Sequence, residues 1–538
     1  MEARRISMVS LLMLFVFAFS LRAQEPVYRD VVKKIMKEAF EHSQVMENAG
    51  WVCDVFGPRN AKTPSYLAAA KWTKERLEEY GLSNAKLEPY EFGVGWENEY
   101  TSVHMIAPRY MPIIAYPAPW SAGTDGKIRA RVVPINLEEI NSEADLEKYR
   151  GKLRNAIVFM VPKQKITAHF EPMATRFTDE QLDEMAKIPI GPRVFKKSPE
   201  RRSDLNNPKR TKNVGGALYS KDTDFLFAEG AVAIVRTDGH NDFGTVDTGV
   251  GGYAHEKRMW ETNAPSPVTE LVMAAEHYNR IMRILEKGIP VEMEIEIRVN
   301  FVRGEPNDYN VIAEIPGTDL ADEVVLCGGH LQSEPVGTGA TDNAAGAVTA
   351  MEAVRILKAI GVKPRRTIRV ALWGGHEMGN FGSRHYVHDH FGDAITQKYK
   401  PEHAKFCGYF NMDGSGRIRG VDNLDNEEIR SIFTEWMKPL HNLGMSHVIP
   451  RISEGEARAF IELGLPGFDF LQDRMDRRTY HSNMDVYDHL VPEDLMQASA
   501  VMATFVYQAA MRDKKLPRIA PVPWDRYRLE GYIIGRER

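Results

Sequence analysis

Cysteine is nearly missing from this chain: Cys53, Cys327 and Cys407 are the only three in 538 residues. Three thiols cannot build a disulfide framework. Cys327 and Cys407 stand in apolar runs and read as buried free thiols, and Cys53 is open to the same reading. Long apolar stretches are missing too, because after the first two dozen residues no run approaches the ~20 needed to cross a bilayer. The mature chain is therefore expected to be soluble, with no stable membrane insertion. Excess charge of one sign is also small: a formal charge of −5 argues against nucleic acid or an anionic membrane as the main partner. What is present is ordinary globular material, 43% hydrophobic and 27% charged, in a length that suits two or three domains.

The first residues are the exception. Arg4 and Arg5 precede an apolar run at 8–19, and Ala23 follows before a polar Gln24. A charged start, a core too short to span and a small residue at the end predict a signal peptide over 1–23, cleaved near Ala23, and a secreted or periplasmic product. Two amphipathic helices are predicted at 31–46 and 64–80, the second closed by Gly81. Strand-like pattern then runs to about 120. Between 122 and 300 the character changes: short strands at 131–134, 156–161 and 231–236 mix with a long polar stretch, followed by a predicted helix at 268–287 and a strand at 291–302. This segment reads as an insertion into a discontinuous domain made of 24–121 and 301–515, with a tail at 516–538. Its basic stretch at 192–212 reads as a solvated loop, with docking of an anionic partner as the alternative.

The chemistry-bearing residues come after the insertion and share a habit. A buried strand is predicted at 323–327, running into Gly328-Gly329-His330, and Asp342 follows at the start of a predicted helix over 343–360. A strand at 366–373 runs into Gly374-Gly375-His376-Glu377, one at 405–410 into Asn411-Met412-Asp413, and one at 468–471 precedes Tyr480-His481 and Asp485. Asp at a helix start is ordinarily an N-cap, and a lone His after a strand is ordinarily a satisfied polar group. Five such residues at the carboxyl ends of one sheet are different evidence, since open α/β sheets bind ligands there. His330, Asp342, Glu377, Asp413 and His481 offer two imidazoles and three carboxylates without a thiolate, a set suited to two Zn²⁺ ions sharing one bridging carboxylate. His376-Glu377 is not the helical H-E-x-x-H zinc motif, because the fifth position is Asn380 and the setting is glycine-rich. The trio His385, His388 and His390 follows a helical surface pattern, with an extra metal site as the less favoured reading.

The order His330, Asp342-Asn-Ala-Ala-Gly, Gly375-His-Glu-Met-Gly, Asp413-Gly and Tyr480-His-Ser resembles the M28 family of zinc exopeptidases. The segment placed before the first metal His is similar to the protease-associated (PA) domain that interrupts the carboxypeptidase Q branch. The resemblance implies an α/β three-layer sandwich with a mixed central sheet, plus a PA-like insert. It implies two zinc ions: one held by His330 and Asp413, the other by Glu377 and His481, with Asp342 bridging. Two positions depart from it. Gln332 stands where the family has an orienting Asp, and His376 stands where the family has the Glu that takes the proton from water.

Three functions follow. The first is a secreted zinc exopeptidase acting on short peptides, with carboxypeptidase or dipeptidase action favoured over aminopeptidase action. The second is a metal-binding scaffold without turnover, and the third a changed hydrolase in which His376 serves as the base. Arg417, Arg458, Arg477 and Arg478 are candidates for a substrate carboxylate, and Glu454 or Glu456 for a substrate amine, each with a structural ion pair as the plainer role. A peptide is the expected partner, and a homodimer is left open.

Overall fold

The structure, a computed structural model, describes residues 25–140, 142–187, 221–249, 253–254, 257–451, 455–475 and 478–522. The expected signal peptide at 1–23, the basic stretch at 192–212 and most of the tail lie outside the described residues.

Two eight-stranded sheets organise the chain. In the first, the strands lie in the order Ser83–Glu91, Asn307–Ile315, Arg366–Trp373, Leu320–His330, Phe406–Asn411, Gly467–Gln472, Ile418–Asp422 and His447–Ile449. The four strands from Arg366–Trp373 to Gly467–Gln472 run parallel, while antiparallel neighbours flank them. Their composition explains why: Phe406–Asn411 is buried at every position and Arg366–Trp373 at all but one, as strands covered on both faces must be. Helices Arg29–Glu41, Pro64–Glu79, Ala345–Ala359 and Pro492–Met511 cover one face in a single apolar core. Helices Phe381–His390 and Ala457–Ile461 cover the other. This is the expected three-layer sandwich with a mixed sheet.

Local signals account for several boundaries. Pro64 opens its helix while the Thr63 hydroxyl accepts the Tyr66 N–H, and Gly81 (φ 81°) ends it as predicted. The helix expected at 31–46 is two, Arg29–Glu41 and Val45–Gly50. The helix expected at 268–287 is a strand, Glu270–Met273, followed by a helix over Ala275–Leu285. Four consecutive buried residues in Glu270–Met273 continue the apolar face of the helix, so periodicity alone does not mark the join.

The second sheet has its own core and the order Met111–Pro112, Gly95–Ala107, Glu292–Val302, Ile128–Pro134, Ala156–Phe159, Ala231–Arg236, Glu270–Met273 and Ala115–Pro117. The segment 122–300 sits in it together with three strands from 95–117. An aromatic cluster of Tyr90, Phe92, Trp96, Trp120 and Trp260 joins the two sheets and buries Met378, the neighbour of Glu377.

Candidate metal centre

The parallel strands end where the chemistry-bearing residues begin. His330 is the last residue of its strand, and its Nδ1–H donates to the Gln332 carbonyl at 2.6 Å, which aims Nε2 away from the backbone. Close backbone packing sets the level of the strand ends: a Cβ on Gly329 would lie 2.7 Å from the Met412 carbonyl, and one on Gly346 2.3 Å from the same oxygen. Asn343 locks this junction by donating to the Met412 carbonyl and accepting the N–H groups of Gly346 and Gly414.

Asp342 does not cap a helix. It lies in the turn Ala340–Ala344 with non-helical dihedrals, and the following helix starts from Ala344 without a side-chain cap. Asp485 fixes that turn by accepting from the N–H and hydroxyl of Thr341 and the N–H of Asp342. The Asp342 carboxylate then faces both imidazoles, with Oδ1 3.1 Å from His330 Nε2 and Oδ2 3.2 Å from His481 Nε2. Asp413 Oδ1 lies 3.4 Å from His330 Nε2, and Glu377 Oε2 lies 3.2 Å from His481 Nε2. All five sequence-predicted ligands meet in one pocket, with Asp342 in the middle.

The charges and the unpaired polar atoms of the pocket both suit cations. Burial would lower the pKa of either imidazole, but Asp413 and Asp342 at His330, and Glu377 and Asp342 at His481, outweigh it and raise both. Burial opposes ionisation of Asp342, yet the two imidazoles facing its oxygens hold its carboxyl far below the usual range. His330 Nε2, His481 Nε2 and Glu377 Oε1 are buried without a hydrogen-bond partner of good geometry. Buried polar atoms are normally satisfied, and donors of this type left open toward one another fit divalent ions. His330, Asp342 and Glu377 offer ligand atoms within 4.8 Å of one another, and so do His330, His376 and Asp413.

His376 stacks on His330, with ring centroids 3.8 Å apart and planes 3° from parallel. Its Nδ1–H donates to Glu456 Oε1 at 2.8 Å, and its Nε2 faces Asp413 Oδ2 at 3.6 Å. Glu456 is fully buried and its other oxygen accepts the Ser383 hydroxyl. Burial and the adjacent His330 lower the His376 pKa; Glu456 and Asp413 more than reverse this, so it is raised. Gln332 fills the place of the absent Asp in a different way, its Oε1 accepting the Glu377 N–H at 3.0 Å.

Other sequence candidates go elsewhere. Arg417 pairs with Asp494 and Arg458 with Glu462, while Arg477 and Glu454 lie outside the described residues. His385 packs against Tyr90, His388 meets Asp389 and His390 meets Glu88, so the three do not converge. The roles of three residues were missed. Arg59, fully buried, donates to the carbonyls of Val52, Leu331, Thr338 and Gly339 and so ties down the loop after His330. Glu456, a candidate amine anchor or ion-pair partner from the sequence, instead holds His376 Nδ1. Glu334, 4% exposed and pushed up to about 8 by burial, stands beside Glu377 and His481.

Comparison with known proteins gives one family. The model of peptidase family M28 matches residues 310–506. Carboxypeptidase Q of Mus musculus is 25% identical over 498 residues, 91% of each chain. Among solved structures, a peptidase M28 precursor from Shewanella amazonensis aligns over 92% of this chain and 99% of its own, with a TM-score of 0.65 and 24% identity. A zinc aminopeptidase from Bacillus subtilis aligns over 88% and 96%, with a TM-score of 0.53 and 17% identity.

Proposed function

From its match to peptidase family M28, we propose that the chain is a secreted two-zinc exopeptidase of short peptides, carboxypeptidase or dipeptidase in type. The observation that carries this reading is the Asp342 carboxylate set between two imidazoles whose Nε2 atoms have no hydrogen-bond partner. His330 and Asp413 would hold one ion, Glu377 and His481 the other, with Asp342 shared. When bound, the ions polarise the scissile carbonyl and acidify the attacking water.

The remaining work falls to the chain. His376 stands in the position of the general base. Its Nδ1–H is committed to Glu456, which fixes the tautomer and leaves Nε2 to take the water proton and return it to the leaving amine. Glu456, anchored by Ser383, keeps the ring from turning. Substrate enters past Asp413, a third exposed, and Tyr480, whose ring stacks on His481 at 3.7 Å. Residues 122–300, completed by the strands from 95–117, act as a PA-like insert that limits substrate length. Support comes from the hydrogen bonds of Val246 with Asn483, two residues from His481.

The test is zinc content together with hydrolysis of a mixed dipeptide library. Two zinc equivalents per chain, with turnover lost on chelation and regained with zinc, are expected. Two bound zinc ions without turnover would leave the scaffold reading in its place.

A further inference from the structure

Glu334 is outside the five positions the family resemblance marks, yet its carboxylate points into the same pocket. Ligand atoms of Glu334, Glu377 and His481 lie within 4.8 Å of one another. Its Oε1 is buried and has no hydrogen-bond partner, as are His481 Nε2 and Glu377 Oε1. A buried carboxylate set beside a second one and left unsatisfied is costly unless a cation completes it. The backbone that presents it is firmly held: Ser333 exchanges hydrogen bonds with the Arg59 backbone, the Arg59 guanidinium binds the carbonyls of Leu331, Thr338 and Gly339, and Pro335 restricts Glu334 to extended conformations.

We propose that Glu334 is a further ligand of the ion held by Glu377 and His481. The inference rests on the two-metal reading above. It makes the two positions unlike in chemistry. The ion at Glu377 and His481 meets three carboxylates, Glu334, Glu377 and Asp342, and one imidazole. The ion at His330 meets a more balanced set. Carboxylate-rich positions tolerate harder ions such as Mn²⁺, whereas imidazole favours Zn²⁺, so the Glu334 side is the one that exchanges zinc for Mn²⁺ first.

The test uses the full chain, stripped with chelator, then titrated with Zn²⁺ and Mn²⁺ by calorimetry, with metal content after dialysis and melting curves with and without metal. In Glu334→Gln, one zinc should bind as in the natural protein and the other at least about tenfold more weakly. Metal-free Glu334→Gln should melt no lower than the metal-free natural protein, because the replaced oxygen has no hydrogen-bond partner to lose, while the gain in melting temperature on adding zinc should shrink. Should Glu334→Gln not fold, Glu334→Asp, which keeps the charge but withdraws the oxygens, must show the same selective weakening. Two ions bound with unchanged affinities in these variants would overturn the proposal. Unchanged affinities with a raised KM only for peptides bearing a free amino terminus would overturn it in favour of an amine anchor. If the natural protein binds fewer than two ions, the two-metal reading itself fails, and Glu334 falls with it.

Discussion

Position 376 is where the M28 resemblance puts a glutamate as base, and from sequence alone His376→Glu should raise kcat/KM at least about tenfold, part of the 10²–10⁴ that a positioned general base contributes. The structure attaches a condition. Glu456 Oε1 sits 2.8 Å from His376 Nδ1, Glu456 is fully buried, and its other oxygen is bound to Ser383. A carboxylate at 376 would face that buried carboxylate. Two like charges ~4 Å apart repel by about 4 kcal/mol at an effective dielectric constant of ~20, enough for one of them to keep a proton or turn away. Breaking the imidazole–carboxylate pair itself costs about 3–5 kcal/mol when the partner stays buried and charged. His376→Glu alone is therefore expected to lower the melting temperature and to leave kcat/KM at or below that of the natural protein. His376→Glu with Glu456→Gln should recover both, because the glutamine amide can donate to the new carboxylate, and kcat/KM should exceed that of the single variant at least about tenfold. Kinetics on one dipeptide, melting curves and zinc content for the four combinations of the cycle decide the matter. An active, undiminished His376→Glu single variant with natural melting behaviour would refute the role given to Glu456.

Asp342→Ala removes the carboxylate shared by His330 and His481, so metal analysis should find both ions lost; retention of both would break the assignment. Asn483→Ala removes the side chain that accepts the Val246 N–H at 2.6 Å and donates to the Gly244 carbonyl at 3.2 Å, so the ion beside His481 should weaken selectively in a zinc titration. Asp308 is none of the five candidate ligands and is pushed from 3.8 up to about 6 by burial, against hydrogen bonds from Tyr90 and backbone N–H groups. Because the folded chain holds this proton more tightly than the unfolded one, the associated stability is complete below about pH 4 and is lost as pH rises through about 6, roughly 3 kcal/mol in all. Asp308→Asn should lack that loss, which denaturation of metal-free protein at pH 4 and pH 7 would show as a variant gaining on the natural chain at the higher pH.

The five candidate ligands could be picked out as a group because the predicted strands lead into them, and a strand end is something composition reveals locally. Val-Val-Leu-Cys before Gly-Gly-His330, and Ile-Arg-Val-Ala-Leu-Trp before Gly-Gly-His-Glu377, announce both the strand and its exit. The thiols were legible for the same reason, and all three are buried and free. What surrounds the ligands was not legible. Glu456 reaches His376 across 80 positions and Arg59 reaches Gly339 across 280, and no local pattern encodes such meetings. Glu334 sits in a Ser-Glu-Pro stretch that reads as an ordinary loop; only the orphaned oxygen in the folded chain gives it meaning. Strand pattern was recognised over 95–117 as well, but an alternating strand does not say which of two sheets it joins.

That last ambiguity bears on how the metal centre is held together. Of the five candidate ligands, His330, Glu377 and Asp413 lie at or just past strand ends, and Asp342 sits in the turn that opens helix Ala345–Ala359, where Asp485 holds it; His481 lies nine positions past the end of Gly467–Gln472, at φ 54°, in a loop with little structure of its own. The second sheet supplies what the loop lacks. Val246 and Asn483 exchange hydrogen bonds, Asp247 bridges Ser482, and Arg176 reaches into the first sheet's domain to meet the buried Asp473 and Asp494. From the sequence, removing 122–300 should leave a folded core that binds metal and has an altered substrate size preference. These contacts imply a different outcome, in which the ion beside His481 is lost with the insert while the His330 and Asp413 side persists. The segment proposed to limit substrate length is then also the one that steadies the His481 loop, so substrate length and metal retention cannot be separated by excision. Only substitutions on the cleft side of the insert, leaving 244–247 in place, can vary the first without the second.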